Sequence, residues 1–458
     1  MEQSSYKAHV LLLPYPGQGH INPMLHFSRR LLSKAIKTTL ITSVFISKSM
    51  NFGSSIGSVD LDVISDGYDE GGFGDAGSID DYLARLKTAG SRTLAELIKK
   101  HESSSNPVDC VIYEPFLPWA LDVAKEHGLF AAAFFTQPCV VDYIYYNIHH
   151  KLLKLPVSET PVSISGLPLL ELRDMPSFVN VPGSYPAYFQ MVLHQFCNTE
   201  RADNILINTF YKLEQEAVNE MSKVCPVLTI GPTIPSIYLD KRIENDDDYG
   251  LDLYALDASI SINWMSTKPA GSVVYVAFGS MANLSDKQME ELAWGLNNSN
   301  FNFLWVVRAC EQSKLPKGFV QELGSKGLIV NWSPQVKVLA SEAIGCFFTH
   351  SGWNSTIEAL SLSVPMVAMP QWTDQPPNAK LVEDVWKVGI RVKVNEDGIV
   401  TREEVESCIR EVMTGEKGKE MRNNGAKWRE LAIEAVSEGG TSDKNIDEFV
   451  SKLVSLRS

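Results

Sequence analysis

The side chains with the most chemistry to offer lie in the 44 residues from Trp332 to Gln375, WSPQVKVLASEAIGCFFTHSGWNSTIEALSLSVPMVAMPQWTDQ. IGCFFTH reads as a buried strand and STIEALSL has helical spacing, so SGWNS between them is a tight strand-to-helix turn. The unbonded amides of such a helix start, with the positive end of the helix dipole, make a cradle for a diphosphate. His350 adds a hydrogen bond there, Gly352 and Trp353 open the turn, and Asn354 and Ser355 bring side-chain donors. Glu358, about one turn further in, is a carboxylate able to accept from vicinal ribose hydroxyls. Trp332 closes the preceding strand GLIVNW, where an exposed indole stacks on a planar base. Each residue has a blander use, as a structural histidine, a core tryptophan or a helix-capping asparagine. In this order and spacing they point to a nucleotide-sugar site.

A second constellation opens the chain. The strand HVLLLP runs into YPGQGHINPM, where Asn22 and Pro23 have the types favoured at the N-cap and first turn of a helix. His20 is thereby expected at the carboxyl end of the first strand, the edge at which open α/β sheets bind ligands. The turn is neither a P-loop nor a dinucleotide fingerprint, because it lacks G-K-[ST] and has Asn22 where a third glycine would stand. Histidine is the side chain whose ordinary titration suits a base near neutrality, and His20 takes that role. His149 and His150, on an expected helix, read as surface or packing residues.

The elements that must position these residues alternate along the chain. HVLLLP, TTLITS and CVIY are β-branched or leucine-rich runs separated by amphipathic segments, and a second series runs from SVVYVAF through FLWVV, LIVNW, GCFFTH and VPMVAMP. The pattern is that of βαβ units, an α/β chain with parallel sheets flanked by helices in two halves. With 458 residues and 44% hydrophobic content, two cores are expected. Between the halves, PTIPSIYLDKRIENDDDYGLDLYALDA is rich in proline and acid and reads as a solvent-facing connection, with Asp246, Asp247 and Asp248 a solvated charge run. The expected division is 1–240, a linker 241–262, 263–440, and an amphipathic C-terminal helix 441–458 capped by Ser442 or Asp443.

A net charge of −14 argues against nucleic acid or an anionic membrane as partner. Seven scattered cysteines without a C-x-x-C pair read as reduced thiols of a cytosolic protein. The N-terminal apolar run lacks a basic flank and a cleavage site, so it is a first strand, and no apolar stretch approaches membrane-spanning length. The sequons at Asn331 and Asn354 fall in the proposed site, where a glycan would block it, which also argues against secretion.

The Trp332–Gln375 segment resembles the signature of plant secondary-product glycosyltransferases, and the chain is similar over its length to family 1 UDP-dependent glycosyltransferases, nearest the branch that glucosylates salicylate and other small acids, phenols and terpenoids. The resemblance implies two facing Rossmann-like domains in the GT-B architecture, acceptor on the first and UDP-glucose on the second. It further implies a cytoplasmic monomer that inverts the sugar carbon, using neither metal nor cofactor beyond its co-substrate. Glu114, after DCVIY, stands where the family usually has the aspartate that orients the base. Ser280 would face the phosphates, Gln335 the nucleoside, Asp374 and Gln375 the sugar hydroxyls, and Thr136 lies near the sugar. A small hydrophobic acceptor is expected against the aromatic and apolar segments that contain Phe116, Trp119, Tyr143 and Met281. Ser351 and Ser363 depart from the family's cysteine and glycine; the second departure matters only if the backbone there has a positive φ. Asp60-Leu61-Asp62 matches a metal-site D-x-D formally but lies far from the donor half. Two rivals are a catalytically impaired UDP-sugar or small-molecule binding protein of the same fold, and a nicotinamide oxidoreductase, which the missing glycine fingerprint disfavours.

Overall fold

HVLLL is buried along its whole length, as a strand covered on both faces must be. In the computed structural model, which describes residues 6–49, 55–56, 58–244, 246 and 258–456, it becomes an inner strand of the first sheet. That sheet contains β1 (Ala8–Leu13), β2 (Ile36–Ser43), β3 (Ser55–Ile56), β4 (Val59–Ile64), β5 (Cys110–Tyr113), β6 (Phe130–Phe135), β7 (Asn204–Ile207) and β8 (Val227–Thr229), in the order β3-β4-β2-β1-β5-β6-β7-β8. All its pairings are parallel except β3 with β4. The second sheet is parallel throughout and contains β9 (Val273–Ala277), β10 (Asn302–Val306), β11 (Gly327–Val330), β12 (Ile344–Thr349), β13 (Met366–Ala368) and β14 (Gly389–Arg391), ordered β11-β10-β9-β12-β13-β14. Helices flank both sheets, so the chain folds as two Rossmann-like layers.

Each sheet has one place where the winding reverses. In the first it is between β1 and β5, in the second between β9 and β12. Loops leaving two such strands diverge to opposite faces and open a crevice at the carboxyl edge. The two crevices carry the site.

The helix after β1 differs from its expected form. It runs Gln18–Ser33 with Gly17 as N-cap, so Asn22 is no cap and Pro23 lies inside the helix. Proline has no N–H, which frees the carbonyl of Gly19 four residues earlier. Asn354 Nδ2, from the other half, donates to that oxygen at 2.6 Å. The helix also buries Met24, Phe27 and Leu31 in one cluster with Ile446, Phe449 and Leu453 of the C-terminal helix Thr441–Ser455. That helix is capped at Gly440, with Ser442 Oγ donating instead to Gly231 O at 2.6 Å.

The connecting stretch is less solvated than its composition implies. Gly231 to Ser236 are buried, and Asp246 is 4% exposed, bonded to Arg29 at 2.9 Å and accepting from the Ser236 amide. Asp240 takes both guanidinium nitrogens of Arg30, at 2.9 and 3.0 Å. Adjacent arginines on one helix thus draw the acids inward, and the solvated reading is wrong at Asp246. Asp247, Asp248 and most of the expected linker lie outside the described residues.

Candidate active site

Three neighbouring strands of the first sheet deliver one side chain each to the same point. The β1 turn brings His20, the residue after β5 is Glu114, and the residue after β6 is Thr136. Glu114 Oε1 lies 3.1 Å from His20 Nδ1; Thr136 Oγ1 is 3.1 Å from the same nitrogen and donates to Oε1 at 2.9 Å. Glu114 is 1% exposed, and its backbone N–H is held by Leu13 O at 2.9 Å, so the longer acid still meets the ring. A ring that donates from Nδ1 keeps its lone pair on Nε2. The imidazole is edged by Tyr15 and Phe116, with ring centroids 5.3 and 5.4 Å away, and stays 24% exposed. Thr136, expected near the sugar, lines the cavity and bonds the histidine–acid pair.

The second sheet presents mostly backbone. Gly279, after β9, has φ 70°, and a Cβ there would lie 2.7 Å from His350 Nε2; one on Gly352 would lie 2.6 Å from it. Both glycines therefore leave room for a histidine packed edge-on against the main chain. Burial pushes His350 down to about 4, opposed by a bond to the Ala277 backbone, so the ring is neutral near pH 7. The helix Trp353–Ser361 begins here with Gly352 as N-cap. Arg308 grips the carbonyls of Ser280 and Ala282 and fixes the loop beyond Gly279.

Gln335 Nε2 donates to Ser355 Oγ at 2.9 Å and to Glu358 Oε2 at 2.7 Å, while Tyr275 OH donates to Gln335 Oε1 at 3.3 Å. Glu358 is 3% exposed and does not itself line the cavity; the residue bonded to its Oε2, Gln335, does. Trp353 lines the cavity but is 3% exposed, its Nε1 donating to Asn208 O of the first half at 2.7 Å. Burial raises Asp374 to about 6, with bonds from Asn378 and from backbone amides pulling it back. Gln375 Oε1 accepts from the amides of Gln371 and Trp372 at 2.8 and 3.0 Å, which leaves its NH₂ for other use.

Between the two edges lies a cavity of about 520 Å³. Its wall includes His20, Thr136, Ser280, Trp332, Gln335, His350, Gly352, Trp353, Asn354, Ser355, Asp374 and Gln375. Among the described residues, no lysine or arginine lines it. Phe116 lines it, as does Met281, which is 57% exposed at its rim. Trp119 and Tyr143 do not and are corrected to core positions. Trp119 packs on Gly90, where an added Cβ would sit 2.7 Å from the indole, and Tyr143 stacks on Tyr146. Sequence reasoning missed Tyr15, Phe73, Tyr82 and Trp372, which supply much of the aromatic wall. Trp372 lies inside the Trp332–Gln375 segment, where its place beside Asp374 and Gln375 could have marked it, whereas Tyr15, Phe73 and Tyr82 are isolated aromatics without a spacing to mark them. It also missed Asp142, fully buried with neither oxygen bonded, whose carboxyl is pushed well up by burial and by Glu214, Glu114 and Asp374 nearby. Asp60 pairs with Lys37, and Asp62 with Lys100 and His101. Among the described residues no group of three or more His, Cys, Asp or Glu gathers as for a metal ion.

Residues 259–424, which span the second sheet, match the family model described as UDP-glucoronosyl and UDP-glucosyl transferase. UDP-glycosyltransferase 74F2 of Arabidopsis thaliana is 57% identical over 454 residues, 98% of this chain and 99% of its own. The chain belongs to the UDP-glycosyltransferase family. Flavonol 7-O-beta-glucosyltransferase UGT74F1, also of Arabidopsis thaliana, is 54% identical over 98% of each chain. The solved structure of Os79 from O. sativa in complex with UDP superposes with a TM-score of 0.92 at 40% identity, over 97% of this chain and 100% of that one. Membership makes the chain a GT-B enzyme that moves a sugar from a UDP donor, and glucose transfer from UDP-glucose is the activity that membership supports. No described helix is long and apolar enough to cross a membrane.

Proposed function

We propose that the chain is an inverting, metal-independent glucosyltransferase that joins glucose from UDP-glucose to a hydroxyl or carboxylate of a small hydrophobic acceptor. The observation that carries this reading is one cavity with the His20–Glu114–Thr136 cluster on one edge and a helix start with Asp374 and Gln375 on the other. With a hydroxyl acceptor His20 Nε2 takes the proton as the oxygen bonds to the anomeric carbon, whereas a carboxylate acceptor attacks as the anion and is only oriented there; in both cases the bond from that carbon to the β-phosphate oxygen breaks, its electron pair leaving with UDP. Glu114 and Thr136 hold the ring and support its developing charge. Ser280, Asn354, Ser355, neutral His350 and the free amides of the helix start stabilise the leaving diphosphate without metal, preorganised dipoles doing what a cation does elsewhere. Trp332 stacks on the base, Gln335 contacts the nucleoside, and Glu358 reaches the ribose once Gln335 gives it up. Asp374 and Gln375 hold the hexose hydroxyls.

The aromatic wall favours a ring-bearing acceptor, a class that includes the flavonol named for one relative. We read the chain as acceptor half 1–240, linker 241–262, donor half 263–440 and returning helix 441–458, a cytoplasmic monomer; the charge balance and unpaired cysteines support that location. The test is a mass-spectrometric acceptor screen with UDP-glucose in the presence of a chelator, followed by NMR of the anomeric coupling. The reading predicts a β-glucoside or β-glucose ester, formed equally well with chelator. An α-product, or activity lost to the chelator, overturns it.

A further inference from the structure

The segment between β6 and β7 crosses from the first half to the second and grips it beside the sugar-holding pair. Ser177 N donates to Thr373 O at 2.9 Å, and Thr373 N donates to Ser177 Oγ at 2.7 Å. Thr373 has φ 52°, a region disfavoured for a β-branched residue and kept only where its surroundings dictate it. The next two residues are Asp374 and Gln375. With Gln371 and Trp372 bonded to Gln375 Oε1, all three consecutive amides of this turn are satisfied, and the third depends on Ser177. The grip is backed by Asp174, 2% exposed, which pairs with Arg391 at 2.8 Å.

We propose that Ser177 is a positioning residue for the donor sugar: by bonding Thr373 in both directions it fixes the turn from which Asp374 and Gln375 reach the hexose. The inference rests on the reading that these two hold the sugar. A merely structural tie between the halves is already supplied by Trp353 to Asn208 O and Trp386 to Leu213 O, neither of which ends on the turn. Phe178, adjacent to Ser177, packs on Trp372 with centroids 6.1 Å apart and lines the cavity, so one short segment touches the acceptor space and the turn together.

The test compares equilibrium binding of UDP-glucose and of UDP, which lacks the hexose, to full-length Ser177→Ala, Ser177→Thr and Gln375→Ala. Removing Oγ leaves the part-buried Thr373 amide unbonded, so Ser177→Ala should weaken UDP-glucose about tenfold, leave UDP unchanged, and narrow the preference for UDP-glucose over UDP-galactose. Unchanged UDP binding also shows the variant folded. Ser177→Thr keeps the hydroxyl and should bind UDP-glucose as the parent does. If Gln375→Ala weakens UDP-glucose and Ser177→Ala does not, the proposal fails while the sugar reading stands. If Gln375→Ala is itself without effect, the sugar reading fails and takes the proposal with it. Equal losses of UDP and UDP-glucose in Ser177→Ala overturn it in favour of a structural tie.

Discussion

His20 and His350 stand at the carboxyl edges of the two sheets and line the same cavity, yet their surroundings assign them opposite work. His20 keeps part of its ring in solvent and has Glu114 and Thr136 on Nδ1. A cation formed there is met by a carboxylate. His350 packs against glycine backbone, has no carboxylate partner among the described residues, and is pushed down to about 4 by desolvation. It is neutral near pH 7 and acts there as a hydrogen-bonding dipole. Residue type and sheet edge are the same in both, though His350 directly follows its strand and His20 lies in the first turn of the next helix; what separates a base from a dipole is the surroundings of the ring, a carboxylate at one and glycine backbone at the other.

The hardest test of that contrast removes each ring in turn. His20→Ala should cut kcat/KM for a phenolic acceptor by at least about two orders of magnitude, the usual worth of a general base, while UDP affinity stays at the parent level. Near-parent turnover would end the assignment. Glu114→Ala should fall almost as far, roughly a hundredfold, because the ring loses its orienting carboxylate. Glu114→Asp should remain within about tenfold: only Oε1 is engaged, and the lost methylene can be partly absorbed by rotamer change. Parent-like rates in Glu114→Ala would make the acid a bystander. His350→Ala should act on the other side, weakening UDP about tenfold through a lost bond to a charged group, with the shape of the pH–rate profile unchanged. A shifted profile would show that His350 titrates in the working range, contrary to its burial.

A smaller effect separates the edges by pH. Asp374 is raised to about 6, so it is ionised above that pH and gains a proton as pH falls through it. A protonated carboxyl accepts hydroxyl bonds poorly. UDP-glucose affinity, measured without acceptor, should therefore decline several-fold between about pH 7 and pH 5 in the parent, and the decline should disappear in Asp374→Asn. An equal decline in Asp374→Asn would place the titrating group elsewhere than at this carboxyl.

The contrast also explains what the sequence revealed. The donor edge is built from one continuous stretch, strand, turn and helix start, so its parts keep fixed spacings and were legible together. His20 was legible for the same reason. The acceptor wall was legible only in part: Phe178 and Tyr188 share the aromatic segment SFVNVPGSYPAYFQMV, which suits a ring-bearing ligand by its composition, but Tyr15, Phe73 and Tyr82 come from separate segments that tertiary packing alone brings together. Trp119 and Tyr143 sit in equally aromatic stretches and point into the core, because periodicity cannot say which face of a short helix a cavity borders. Asp246 was misread because composition does not show the arginines waiting on a distant helix. Glu358 was assigned by spacing along its helix, which cannot show that Gln335, at the start of another helix, bonds its carboxylate.

The smallest expected effect concerns how the donor edge ends. The donor helix is bracketed by two serines with positive φ, Ser351 at 62° and Ser363 at 60°. Ser363 is the residue after the C-cap Leu362. Its N–H bonds to Leu360 O at 3.1 Å and the next, Val364, to Ala359 O at 2.9 Å. Those two bonds are the Schellman pattern, in which this position is left-handed and usually glycine. An L-residue there costs about 1–2 kcal/mol, while glycine would restore about 0.5–1 kcal/mol of chain entropy to the unfolded state. Strain relief wins narrowly. Ser363→Gly should raise stability by up to about 1 kcal/mol in reversible denaturation, with kcat/KM and UDP affinity unchanged because Ser363 lies at the far end of the helix from the cavity. A loss of stability would mean that the serine contributes more through its packing beside Gly425 than its backbone strain takes away.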